Sequence, residues 1–223
     1  MAKNKLQKFK ELETFNNTIQ PRKESLLKDN FKLKGNWNKE FKNTNPIVLE
    51  LGCGKGEYTV NLAKSNLNIN YIGVDIKGSR IWKGAKLAVD NKLSNVRFLR
   101  TQIELLPFCF STNEVSEIWI TFPDPQIKYR RRKKRLTAIH MLTKYKRILK
   151  KDSLIHLKTD SQFLYGYTLG VLEKIEGKII KNSHDIYNSY LMEKHQFLSI
   201  QTFYEKKFLK NNQPITYICF QIN

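Results

Sequence analysis

Along this chain, apolar and polar positions fall into blocks whose period changes several times. Ile47-Val48-Leu49-Glu50-Leu51 is a short, mostly apolar run ending at glycines, the mark of a strand buried on both faces. Helical spacing follows over residues 57–65, then a strand over 71–75, a helix over 79–91 and a strand over 96–100. Residues 115–122 read as a fourth strand with Trp119 and Ile120 at its centre. Ile139, Leu142, Tyr145, Ile148 and Leu149 give 137–150 the spacing of an amphipathic helix. A fifth strand over 154–158 and a helix over 163–175 complete the alternation. Residues 203–209 and 215–222 flank Lys210-Asn211-Asn212-Gln213-Pro214 and predict an antiparallel hairpin. Five strand–helix units and a hairpin predict an α/β fold: a doubly wound sheet, mostly parallel, with an antiparallel C-terminal edge. No internal repeat or low-complexity linker interrupts it.

Charge divides the chain further. Residues 1–45 hold eleven Lys/Arg, five Asp/Glu and a few spaced apolar residues such as Phe9, Leu12 and Phe15. They predict a basic arm, partly helical and partly flexible, ahead of one domain over 46–223. The whole chain carries a formal charge of +20. So much repulsion in a small domain suits a polyanionic partner, nucleic acid above all, although general richness in Lys and Asn supplies part of the excess. Cys53, Cys109 and Cys219 are far apart and odd in number, and His140, His156, His184 and His195 are scattered. Neither a disulfide framework nor a metal site is expected. With no apolar run approaching the ~20 residues that span a bilayer, the reading is a cytoplasmic protein that does not engage membranes.

Two motifs carry chemistry. Glu50-Leu51-Gly52-Cys53-Gly54-Lys55-Gly56 leaves the first strand of the alternation and opens a helix, so glycines let the backbone turn tightly against a ligand. Asp75 ends the next strand nineteen residues after Gly56, where an acid can accept from ribose hydroxyls. A dinucleotide enzyme shares this layout, but needs GxGxxG and a diphosphate site at the helix start. Here Glu57 follows a GxGxG spacing and Glu50 precedes it, which favours a phosphate-free nucleoside. The loop with Asp75 resembles the S-adenosylmethionine motif of class I methyltransferases. The second motif is Phe122-Pro123-Asp124-Pro125, where two prolines fix the backbone around one carboxylate. Seven cations follow within the ten positions 126–135: Lys128, Arg130, Arg131, Arg132, Lys133, Lys134 and Arg135. Beside an active-site rim such a run becomes a strip for a nucleic-acid backbone. Asp160 ends the fifth strand near that rim, and Thr202-Phe203-Tyr204-Glu205 begins the expected hairpin.

Together these residues resemble the tRNA (guanine-N(7)-)-methyltransferases, which modify a guanosine in the tRNA variable loop, from about residue 46 to the C-terminus. The most specific match is Phe-Pro-Asp-Pro with the basic stretch ending in Arg135-Leu136; Leu157-x-Thr159-Asp160 and Thr202-x-Tyr204-Glu205 also match. The resemblance implies a Rossmann-like fold, S-adenosylmethionine as donor with S-adenosylhomocysteine as product, and no metal. It implies that Glu50, Gly52, Gly54, Asp75, Gln102 and Asp124 meet the cofactor and that Asp124 is catalytic. Lys128, Asp160, Thr202, Phe203, Tyr204 and Glu205 would meet the substrate, and tRNA would be the partner of a monomer or homodimer. Two positions depart from the family: Gln102 replaces its usual Asp or Asn, and Gln126 replaces its aromatic. Rival expectations are a methyltransferase acting on another RNA atom or on DNA, and a catalytically silent RNA-binding relative.

Overall fold

The computed structural model describes residues 2–222. The chain opens with helix α1 (Ala2–Thr14), a two-residue strand β1 (Thr18–Ile19) and short helices α2 (Lys23–Leu27) and α3 (Trp37–Phe41). Strands β2 (Ile47–Leu51), β3 (Asn70–Asp75) and β4 (Val96–Arg100) then alternate with helices α4 (Glu57–Ser65) and α5 (Gly78–Asp90). After the single turn α6 (Leu106–Cys109) come β5 (Val115–Thr121), α7 (Ile139–Lys146), β6 (Leu149–Thr159) and α8 (Gln162–Lys174). Strand β7 (Lys178–Ser183), the turn α9 (Leu191–Lys194), α10 (Phe203–Lys210) and β8 (Thr216–Gln221) finish it.

The sheet order is β1-β4-β3-β2-β5-β6-β8-β7. Strands β1 to β6 pair in parallel, and β8 lies antiparallel between β6 and β7. From β2 the chain steps outward through β3 and β4, then returns to β2's other side as β5. That reversal opens a crevice beyond the carboxyl ends of β2 and β5, where doubly wound sheets bind ligands. Every residue of β2 is buried. Neighbouring residues such as Trp119 and Ile120 fall in different apolar clusters, so each strand feeds both faces of the sheet. On one side α5 buries Ile81, Ala85 and Ala88 at helical spacing; on the other α7 buries Met141, Leu142 and Tyr145.

Three expectations need revision. The hairpin's first arm is helix α10: Thr202 accepts from the Glu205 amide while the Glu205 carboxylate accepts from the Thr202 amide, a reciprocal cap that commits the segment to a helix. The antiparallel edge is completed instead by β7, whose pairing with β8 was hidden because its residues are exposed or half-buried and show no apolar alternation. Residues 149 and 150 begin strand β6 rather than ending a helix. As for residues 1–45, Leu12, Leu26, Trp37 and Phe41 lie in the core, and β1 extends the sheet beyond β4. Trp37 donates to the Cys109 carbonyl at 3.0 Å, and Trp82 of α5 donates to Glu11 at 2.7 Å.

Candidate active site

The glycine loop is held by its neighbours in the sheet. Gly52 and Cys53 both donate to the Val74 carbonyl, at 2.8 and 3.1 Å. Gly52, Gly54 and Gly56 all adopt left-handed φ values. At Gly56 a Cβ would lie 2.5 Å from the Phe98 ring, so glycine is required for packing as well as for the turn. Gly54 instead faces open space, with no atom nearer than 3.9 Å to where its Cβ would be. Asp75 pins the loop: one oxygen accepts from the Gly54 amide at 3.0 Å and the other from the Lys77 amide at 2.8 Å.

Glu50 lies 3% exposed where β2, α4 and β5 meet. One carboxylate oxygen accepts from the Thr121 hydroxyl at 2.6 Å; the other accepts from the Thr59 amide at 2.8 Å and from the Thr59 hydroxyl. Burial raises its pKa to about 7, against the pull of these donors. A cavity above it is lined by Gly52, Gly54, Lys55, Glu57, Arg80, Phe122, Thr202 and Tyr204, among others.

Beyond β5 the backbone is strained. Phe122 takes φ +47°, rare for an aromatic residue, and is fixed by donating to the Lys158 carbonyl at 2.8 Å. Asp124 is exposed, and its Oδ1 accepts from the Gln126 amide at 3.0 Å; Gln126 itself has φ +48°. The cationic run then divides. Lys128 and Arg130 to Lys134 are exposed, the latter within a 3₁₀ turn, Tyr129–Lys134. Arg135 turns inward and is buried. Its guanidinium donates to the Gln126 carbonyl at 3.2 and 3.3 Å and to the Ile127 carbonyl at 3.3 Å, and lies over the rings of Phe163 and Tyr167. Its hydrogen-bonding face is therefore committed to the loop that carries Asp124, in contrast to the backbone-binding place expected for it.

The remaining expected residues separate by place. Thr202 and Tyr204 line the cavity, and Phe203 stands at its rim with Lys55 over its ring at 4.1 Å. The Phe203 amide donates to Glu57 at 2.8 Å, joining the starts of α10 and α4. Glu205 is fully buried, so the expected contact with substrate gives way to an internal one: it pairs with the equally buried Lys158 at 2.6 Å and accepts from the Tyr187 hydroxyl at 2.8 Å. Lys158 also donates to the carbonyls of Leu198 and Ile200. Asp160, half-buried at the end of β6, has its pKa raised by burial. Gln102 lies in a different hollow, beside Gln20, Ile76 and Arg100 past the ends of β3 and β4. Sequence reasoning missed Thr59, Thr121, Arg80 and Lys158. For Lys158 a signal existed: it follows the apolar Leu157 within a run whose other residues, from Ile155 to Thr159, are all buried.

The sequence model of a family described as putative methyltransferase matches residues 44–218. The chain is 58% identical over 222 residues to a tRNA (guanine-N(7)-)-methyltransferase of Christiangramia forsetii, covering 99% of each chain. A protein of that name from Bacteroides thetaiotaomicron is 43% identical over all of this chain and 87% of its own. One from Bacillus subtilis is 37% identical over 82% of this chain and 83% of its own. Among solved structures, the 16S rRNA methyltransferase KamB aligns with a TM-score of 0.64 at 14% identity, over 85% of this chain and 93% of that one, a likeness of fold. On its sequence match to these relatives, the chain belongs to the tRNA (guanine-N(7)-)-methyltransferase family.

Proposed function

We propose that this chain transfers a methyl group from S-adenosylmethionine to the 7-nitrogen of a guanosine in the tRNA variable loop, in the cytoplasm, leaving S-adenosylhomocysteine. The observation that carries this reading is one juxtaposition. At the β2/β5 reversal, a glycine-loop cavity adjoins a proline-framed carboxylate, Asp124, at the head of an exposed cationic strip.

The cavity fits the donor. Its lining carries both signs, Glu50 and Glu57 with Lys55 and Arg80, which suits a ligand bearing an ammonium and a carboxylate better than a diphosphate. Glu50, the backbone of Gly52 and Gly54, and Asp75 would hold it; Gln102 and Ile76 line the neighbouring hollow past the ends of β3 and β4. When bound, S-adenosylmethionine supplies an electrophilic methyl group on a sulfonium.

Guanine N7 has an in-plane lone pair and no proton at neutral pH, so the protein needs no strong base. Its task is alignment. Asp124 accepts from the N–H donors on the Watson–Crick edge and so turns N7 toward the cavity. Its fixed charge also favours the positive charge that develops on the methylated purine. Lys128, Asp160, Phe203 and Tyr204 form the rim that receives the nucleotide, and Arg130 to Lys134 hold the adjoining backbone. Replacing Asp124 with Ala should lower kcat by about 10²–10³ and leave S-adenosylmethionine affinity, read by calorimetry, nearly unchanged. Parallel loss of both would refute its role.

A further inference from the structure

From Gln126 to Lys151 the chain contains twelve Lys/Arg and no Asp or Glu. None of the ion pairs among the described residues uses any of these twelve. Only part of this charge lies in the strip beside Asp124. The structure folds the rest around it: Arg132 and Lys133 of the 3₁₀ turn face His140, Lys144 and Arg147 of α7 and its C-cap across an open groove that Tyr167 also lines. Two of the cations are already oriented. The Arg132 guanidinium lies 4.0 Å from the centre of the Tyr129 ring, and the Lys144 ammonium donates to the Glu104 carbonyl at 3.2 Å.

We propose that this groove is a second tRNA-binding surface, one that grips the ribose–phosphate backbone away from the guanosine being methylated. The inference rests on the proposed tRNA reading and extends it to an element outside the site. Cations gathered in a concavity without carboxylates repel one another, and a polyanion relieves that cost. RNA is the occupant because the groove shares Arg132 and Lys133 with the strip beside Asp124, so one backbone can run across both. His140, Lys144 and Arg147 at i, i+4 and i+7 span roughly 10 Å of helix, long enough to meet successive phosphates of one strand. Exposed Ile139 beside them offers no base-specific donor, as a sequence-independent grip requires.

The test is steady-state methylation of full-length tRNA by a Lys144→Glu/Arg147→Glu double variant, over a range of salt concentrations. A Lys10→Glu/Lys64→Glu variant, on exposed positions distant in sequence, controls for net charge, and Lys144→Gln/Arg147→Gln provides a milder change. The groove variants should raise KM for tRNA about tenfold with kcat within twofold. Their log–log salt slope should fall by about two, one per lost phosphate contact, while the control pair tracks the wild type. An unchanged KM and slope, or the same change in the control pair, would overturn the groove. Failure of the underlying reading is separately visible, because the wild-type protein would then form no methylated guanosine in the same assay.

Discussion

Glu50 shows how one side chain can serve both architecture and chemistry. Its two oxygens bind Thr59 and Thr121, so it clamps α4 and β5 to β2 beneath the glycine loop. Because burial raises its pKa to about 7, ionisation is resisted in the folded chain relative to the unfolded one. Its contribution to stability is fully present below pH 4.5 and is lost as pH rises through about 7. Glu50→Gln removes that dependence. Without ligand, the variant should gain about 3 kcal/mol relative to the wild type between about pH 4.5 and pH 8, read from denaturant midpoints. A pH-independent difference would show that Glu50 does not titrate in this window. Arg135 carries the second prediction at this scale. Arg135→Ala frees the Gln126 and Ile127 carbonyls and loosens the Asp124 loop, so kcat should fall at least tenfold with the salt slope on tRNA unchanged. Arg135→Lys should recover only part of it, since an ammonium cannot reproduce the fork and the two ring contacts. A reduced slope would return Arg135 to the phosphate strip. From sequence the seven cations looked equivalent. What separates Arg135 is the pair of aromatic rings on α8, distant in sequence and brought near only by the fold.

At the scale of elements, the segment from α9 to α10 forms one wall of the cavity and hangs on the Lys158–Glu205 pair. Three Lys158 contacts, to Glu205 and to the carbonyls of Leu198 and Ile200, use the full donor capacity of the ammonium. Removing one partner leaves a buried charge without its counterpart. Lys158→Met should cost about 3–5 kcal/mol, and Lys158→Met/Glu205→Leu should regain much of that; a single variant as stable as wild type would contradict the pair's role. The same segment marks where the sequence was hardest to read. Strands β2, β3, β4 and β5 are legible because both faces are buried and their apolar runs end at glycine, Asp75, Arg100 and the prolines. Residues 203–209 mix aromatics and lysines in a way that suits a strand or a helix. The decisive signal was Thr202 with Glu205 three positions later, a capping box. Reading Glu205 as a substrate contact hid its part in that cap.

Over the whole molecule, the +20 charge is not spread evenly. Twelve of the forty cations lie in the acid-free stretch from Gln126 to Lys151, which runs from the Asp124 loop across α7 into β6. The sheet order puts that stretch directly after the strand beside the glycine loop, so donor cavity, orienting carboxylate and polyanion track follow one another along a single reversal of the fold. The cavity and the carboxylate were legible as motifs. The track's extension onto α7 was not, because its charges are interleaved with the buried Met141, Leu142 and Tyr145 and become a surface only once the helix packs. The proposed activity comes down to one bond, from the donor's methyl to guanine N7. Incubating the protein with methyl-labelled S-adenosylmethionine and unmodified tRNA, then mapping the labelled nucleoside, tests it most directly. The label should appear as 7-methylguanosine at one position of the variable loop; label on any other atom, or none transferred, would refute the proposed activity.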